Sequence, residues 1–116
     1  MKLFGIPNCD TVKKARNWLT ENGLEYEWHD FKKQGLSAEQ AQTWIDAIGW
    51  EALINKQGTT WRKLDDSSKA AVVDASSAIA LMLRNPSVIK RPVLVTQNST
   101  HVGFKPELYQ QILKQS

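Results

Sequence analysis

Cys9 is the residue in this sequence whose type and position most clearly permit chemistry. It follows the apolar run Leu3-Phe4-Gly5-Ile6 and a Pro7-Asn8 turn signal, and it precedes Asp10 to Leu19, which has the polarity of an amphipathic helix. An order of strand, tight turn and helix puts the sulfur at a helix N-terminus. Unpaired backbone N–H groups point outward there and the macrodipole favours negative charge. Such a site stabilises the thiolate, which is the nucleophilic form of cysteine. Free cysteine is also among the most buried residue types, so it is the turn-to-helix position that favours a reactive thiol over a packed one. The chain has one cysteine, so no internal disulfide can form, and nothing in the cysteine count points to an oxidising compartment.

The elements that must position this thiol can be read from hydrophobic period and punctuation. Lys2 to Ile6 predicts a strand, and Asp10 to Asn22 a helix with Val12, Ala15, Trp18 and Leu19 on its apolar face and Gly23 as C-cap. Glu25 to Phe31 alternates polar and aromatic residues, the pattern of a half-buried strand. These segments form a βαβ unit whose strands should be parallel neighbours with a right-handed crossover. Ser37 and Gln40 read as a capping box opening a helix that carries Trp44, Ile45 and Ile48 and ends at Gly49. A short apolar turn, Trp50 to Ile54, and a Gly58-Thr59-Thr60 loop follow. Ser67 to Arg84 then predicts one long helix with Ala71, Ala75, Ala78, Ile79 and Met82 at helical spacing, stopped by Asn85-Pro86. Val93-Leu94-Val95 reads as a central strand, Gln97 to Thr100 as a turn and His101 to Phe104 as its hairpin partner. Pro106 opens a last helix that buries Leu108, Tyr109, Ile112 and Leu113. The sum is βαβ, a helical insert, then ββα, an α/β chain.

Composition narrows the functional class. The 116 residues are 41% hydrophobic and 23% charged, a globular balance. No apolar run approaches the roughly 18 residues of a membrane span, and the N-terminus lacks the apolar core of a signal peptide. A cytoplasmic protein with no membrane partner is therefore expected. The net charge of +3 is spread over pairs such as Lys13-Lys14, Lys32-Lys33, Arg62-Lys63 and Lys90-Arg91, without a basic stripe, which disfavours nucleic acid as a partner. A pocket for a small anion needs only one or two well-placed cations.

Three fragments occur in order: Ile6 to Ala15 around Cys9, Gly58 to Leu64, and Asn85 to Val93 around Arg91-Pro92. With them the chain resembles the glutaredoxin-linked arsenate reductase (ArsC) family, most closely its Spx and YffB-like branch. The resemblance implies a thioredoxin-like fold in a single 1–116 domain, with the core from 1–33 and 88–116 and the helical insert at 34–87. It implies Cys9 as nucleophile, Arg91 as the arginine that contacts oxyanion or thiolate, and Pro92 as a cis proline facing the cysteine. Read from the residues alone, Arg91 is equally a surface cation and Arg-Pro is compatible with a trans bond. The remaining substrate or glutathione-binding positions implied are Asn8, Asp10 and Thr11.

Two departures bear on chemistry. The family's arsenate reductases carry two further arginines around the anion, and by the resemblance the first falls near Asn55 and the second at His101, neither an arginine here. Lys56, Arg62 or His101 are the available replacements as anion contacts, although His101 reads more readily as an exposed strand histidine than as an anion contact. The Spx Cys-x-x-Cys switch is absent, since the position three after Cys9 is Val12. The expectation is a glutathione-dependent monothiol oxidoreductase with no permanently bound cofactor and no metal. Its partners would be glutathione and a small thiol, disulfide or oxyanion substrate, with arsenate reduction weak. The competing expectation is a non-catalytic module of the Spx kind that binds a protein partner, with Cys9 retained or acting as a redox sensor.

Overall fold

The structure, a computed structural model, describes residues 1–113. Its elements in chain order are β1 (Lys2–Gly5), α1 (Asp10–Glu21), β2 (Glu27–Asp30), α2 (Phe31–Gln34), α3 (Ala38–Ile48), α4 (Trp50–Leu53), α5 (Thr59–Arg62), α6 (Asp66–Ala70), α7 (Ala75–Arg84), a 3-10 turn (Pro86–Val88), β3 (Val93–Val95), β4 (Thr100–Val102) and α8 (Pro106–Leu113). The chain divides into two compact units, one of Met1–Asp30 with the chain from Arg91 onward, the other of Phe31–Lys90.

The first unit is a mixed four-stranded sheet in the order β2-β1-β3-β4. β1 and β2 run parallel with Leu3 opposite Trp28, while β1 and β3 are antiparallel with Phe4 opposite Val93. β3 and β4 form the hairpin, with Leu94 opposite His101. This is the α/β, thioredoxin-like order expected. Leu3 and Leu94 lie on one face and pack with Ala15 and Leu19 of α1 and Tyr109 of α8. Trp18 and Phe104 close over Tyr109 edge-on, with centroids at 5.7 and 4.7 Å, a geometry aromatic quadrupoles favour. Gly5 is required by the close approach of α1: a Cβ there would sit 2.9 Å from Val12 Cγ2.

In the second unit α3 packs on α7 and buries Trp44, Ala78, Leu81 and Met82. Phe31 meets Trp44 edge-on at 5.9 Å. Leu53-Ile54 and Ile89 pair briefly, through the Lys90 amide to the Leu53 carbonyl and the Asn55 amide to the Val88 carbonyl, both 2.8 Å.

Four local expectations are corrected. The long helix from Ser67 to Arg84 is two helices, α6 and α7, with Ala71 to Asp74 between them. Asp74 caps α7, accepting from the Ser77 amide at 2.9 Å while Ser77 Oγ accepts from the Asp74 amide at 3.1 Å. A reciprocal box of this kind starts a helix, and it overrides the alanine spacing that continues through it. Trp50–Leu53 and Thr59–Arg62 are single helical turns rather than irregular chain. β2 stops at Asp30, and Phe31 begins α2. β4 is Thr100–Val102, starting one residue and ending two residues earlier than expected, with the Thr96 amide donating to the Ser99 carbonyl at 2.8 Å across the turn before it.

Candidate active site

Cys9 occupies the N-cap of α1. Its backbone is extended (φ −99°, ψ 124°), and its carbonyl accepts the first helical hydrogen bond, from the Lys13 amide at 2.9 Å. The side chain is partly exposed. It is a free cysteine, and among the described residues no cluster of His, Cys, Asp and Glu could hold a metal ion.

Sheet register brings Arg91 to this sulfur. Because β3 runs antiparallel to β1 with Val93 opposite Phe4, the segment entering β3 lies beside the end of β1 and the loop that leads to Cys9. That segment is Arg91-Pro92, joined by a cis peptide bond. Pro92 is buried, and its carbonyl accepts from the Gly103 amide at 2.9 Å, which ties it to the end of β4. Arg91 is half-buried, and its side chain hydrogen-bonds Cys9.

Four influences act on the thiol. Partial burial pushes its pKa up. The Val12 amide, the Arg91 hydrogen bond and charge, and the Thr11 amide pull it down, and together they hold it below the ordinary thiol value. The amides act as dipoles directed at the sulfur, for no formal side-chain cap hydrogen bond closes on it. Val12 is the N3 residue of α1, whose amide an N-cap side chain ordinarily faces. Its contribution, larger than that of Thr11, was readable from the capping rule but not from residue type, since an amide leaves no mark on the sequence.

The other expected site residues are placed as follows. Asn8 and Asp10 flank Cys9 and are exposed, Asp10 standing in the first turn of α1. His101 lies on β4 with its Nε2 2.8 Å from Ser99 Oγ, so its ring is tied to the hairpin turn. That turn is at the end of the sheet opposite Cys9, as the antiparallel β1–β3 register requires. Burial lowers the His101 pKa, leaving the ring neutral at pH 7. Lys56 and Arg62 belong to the second unit, where Lys56 Nζ stands 5.5 Å from the Trp61 ring centroid and Arg62 is exposed. Asn55 spends its side-chain oxygen on the Gln57 amide at 3.2 Å. The structure thus gathers Cys9, Thr11, Arg91 and Pro92, and His101 stands apart from them.

Comparison with known proteins identifies the family and the fold. Residues 4–112 match the model of the ArsC family. A solved structure of a YffB protein is 48% identical, with 97% of each chain covered and a TM-score of 0.91. An uncharacterised protein of Haemophilus influenzae is 40% identical over 93% of this chain and 94% of its own. A Streptococcus pyogenes protein named global transcriptional regulator Spx is 28% identical over 90% of this chain and 78% of its own. No helix among the described residues is long and apolar enough to cross a membrane.

Proposed function

This chain belongs to the ArsC family, and from that premise we propose that it is a glutathione-dependent monothiol oxidoreductase with Cys9 as nucleophile. What supports the reading is a half-exposed sulfur at a helix N-cap that faces two backbone amides and the Arg91 guanidinium. A thiolate so held is both a competent nucleophile and a good leaving group in disulfide exchange.

In this cycle the Cys9 thiolate attacks the glutathionyl sulfur of a mixed disulfide. The substrate S–S bond breaks, and the substrate leaves as a thiolate that takes up a proton. Cys9 now carries glutathione in a new disulfide. A second glutathione, as thiolate, attacks that glutathionyl sulfur, releasing oxidised glutathione and the Cys9 thiolate. The proton lost by the second glutathione balances the one gained by the substrate. An external thiol is needed for the second step, because the chain has no other cysteine. Arg91 stabilises the anion at both ends of the cycle, and Asn8, Asp10, Thr11 and Pro92 form the surface on which glutathione rests.

The test is adduct formation. Incubation with oxidised glutathione should add one glutathionyl mass at Cys9, faster in folded than in denatured protein. A folded protein that resists while the denatured one reacts would show a packed, unreactive thiol.

The kinship with Spx favours a second reading, a regulatory module that binds a protein partner and leaves Cys9 chemically idle. Iodoacetamide alkylation across pH separates the two: an ordinary thiol profile supports the module, and a profile displaced to lower pH supports the oxidoreductase.

A further inference from the structure

Lys13, Arg16, Asn17, Thr20 and Tyr26 line an open groove of about 320 Å³ beside α1. No carboxylate lines it, and neither cation takes part in an ion pair among the described residues. Arg16 is held in place by neutral partners. Its Nε donates to the Tyr26 hydroxyl at 3.0 Å, and its guanidinium carbon stands 4.2 Å from the Trp28 ring centroid. One edge of the fork is therefore used for positioning, while the terminal nitrogens remain for a planar anion. A guanidinium fixed by stacking loses less freedom on pairing than a mobile one. The Tyr26 hydroxyl accepts from Arg16 and so keeps its own proton to donate.

Cys9 is the N-cap that precedes α1, and Lys13, Arg16 and Thr20 follow it on one stripe of the helix, spaced by three or four. Lys13 stands at an exposed position about one helical turn beyond the N-cap. At about 1.5 Å per residue, Arg16 is roughly 10 Å along the axis from Cys9, the span of about three extended residues.

We propose that this groove receives an acidic side chain of a peptide or protein whose glutathionylated cysteine is presented to Cys9. The assignment rests on the oxidoreductase reading and adds a substrate class to it: cysteine segments with Asp or Glu about three residues from the reacting sulfur. The exchange step is the one already written, with the substrate cysteine as leaving thiolate and free glutathione as reductant.

The experiment uses two glutathionylated peptides that differ only in Asp against Asn three positions from the cysteine. Wild-type protein should turn over the acidic peptide with about three- to fivefold higher kcat/KM at low salt, the range of an exposed but ordered ion pair. Added salt should shrink the preference. Lys13→Gln, at an exposed position, and Arg16→Gln should both abolish it while leaving the rate on the Asn peptide unchanged. Binding is read separately with peptides carrying serine for cysteine, through NMR shifts of the Arg16 Nε–H and Trp28 indole. The acidic peptide should move both signals even where Cys9 fails to react, which separates failure of the groove from failure of the catalytic reading. Equal behaviour of the two peptides in rate and in shift would overturn the proposal. A raised KM for glutathione itself in Lys13→Gln would also overturn it, by giving the groove to the glutathione carboxylates.

Discussion

Raising the pH through the Cys9 titration should switch the thiol from an inert to a reactive form below the pH at which a free cysteine changes. Ordinary cysteine titrates near 8.5, and the folded value lies lower, first because the Val12 amide and Arg91 outweigh burial. The rate of alkylation should therefore rise with pH and reach its plateau early, as read by ultraviolet thiolate absorbance beside a denatured control. Coincident folded and denatured curves would contradict this. Linkage gives the matching stability effect. A group whose folded pKa is depressed contributes stability that is full above its unfolded value and fades as pH falls through its folded value. Under reducing conditions the stability margin of the native protein over Cys9→Ser should accordingly widen from acid toward pH 9. Arg91→Ala should raise the thiol midpoint and slow reaction at pH 7 by about tenfold, since a hydrogen bond to a charged group is worth roughly 1.5–3 kcal/mol. Cys9, Arg91 and Pro92 were legible at this scale because side-chain type and a short motif carry them. The amides at the start of α1 were legible through the capping rule, whereas the tether of His101 to Ser99 was not, since it depends on geometry that no residue type announces.

Between residues and fold, the elements act as the site's mounting. Gly5→Ala would drive a methyl to 2.9 Å from Val12 Cγ2, and Val12 is the residue whose amide faces the thiol. Overpacking of this kind costs about 1–3 kcal/mol. Chemical denaturation should show that loss, and the Cys9 midpoint should move up as α1 is displaced. An unchanged midpoint would mean that the strand, not the helix, gives way. Ser37→Ala removes the hydroxyl that accepts from the Gln40 amide at 3.1 Å, so about 1 kcal/mol of stability should go without any change in the thiol titration. Element types were readable where period and caps agreed, as in α1 and α3. Reading failed between Ser67 and Arg84, where alanine at helical spacing runs through Val72-Val73-Asp74 while the Asp74–Ser77 box restarts the helix. A capping box carries a local signal of two residues, and a hydrophobic period averaged over a longer window hides it.

At the scale of the molecule, the order βαβ then ββα was legible because strands and helices alternate with clear punctuation, and it gives the parallel β1–β2 pair and the β3–β4 hairpin, while the antiparallel pairing of β1 with β3 that joins them comes from the structure. Family membership is a matter of this architecture and its motifs, whereas substrate is a matter of charges at particular positions. Arsenate turnover should be weak: Asn55 is engaged with Gln57, and His101 is held at the hairpin turn with its ring neutral at pH 7. Two missing charged contacts at roughly 1.5–3 kcal/mol each would weaken oxyanion binding about 10²-fold or more. A glutathione mixed disulfide makes no such demand, because its reacting sulfur is uncharged. The most direct measurement is therefore glutathione-coupled NADPH oxidation with a model mixed disulfide and with arsenate, side by side, for the native protein and Cys9→Ser. Native protein should turn over the mixed disulfide, Cys9→Ser should not, and arsenate should stay near background. No turnover of the mixed disulfide by native protein, or equal turnover by Cys9→Ser, would contradict this.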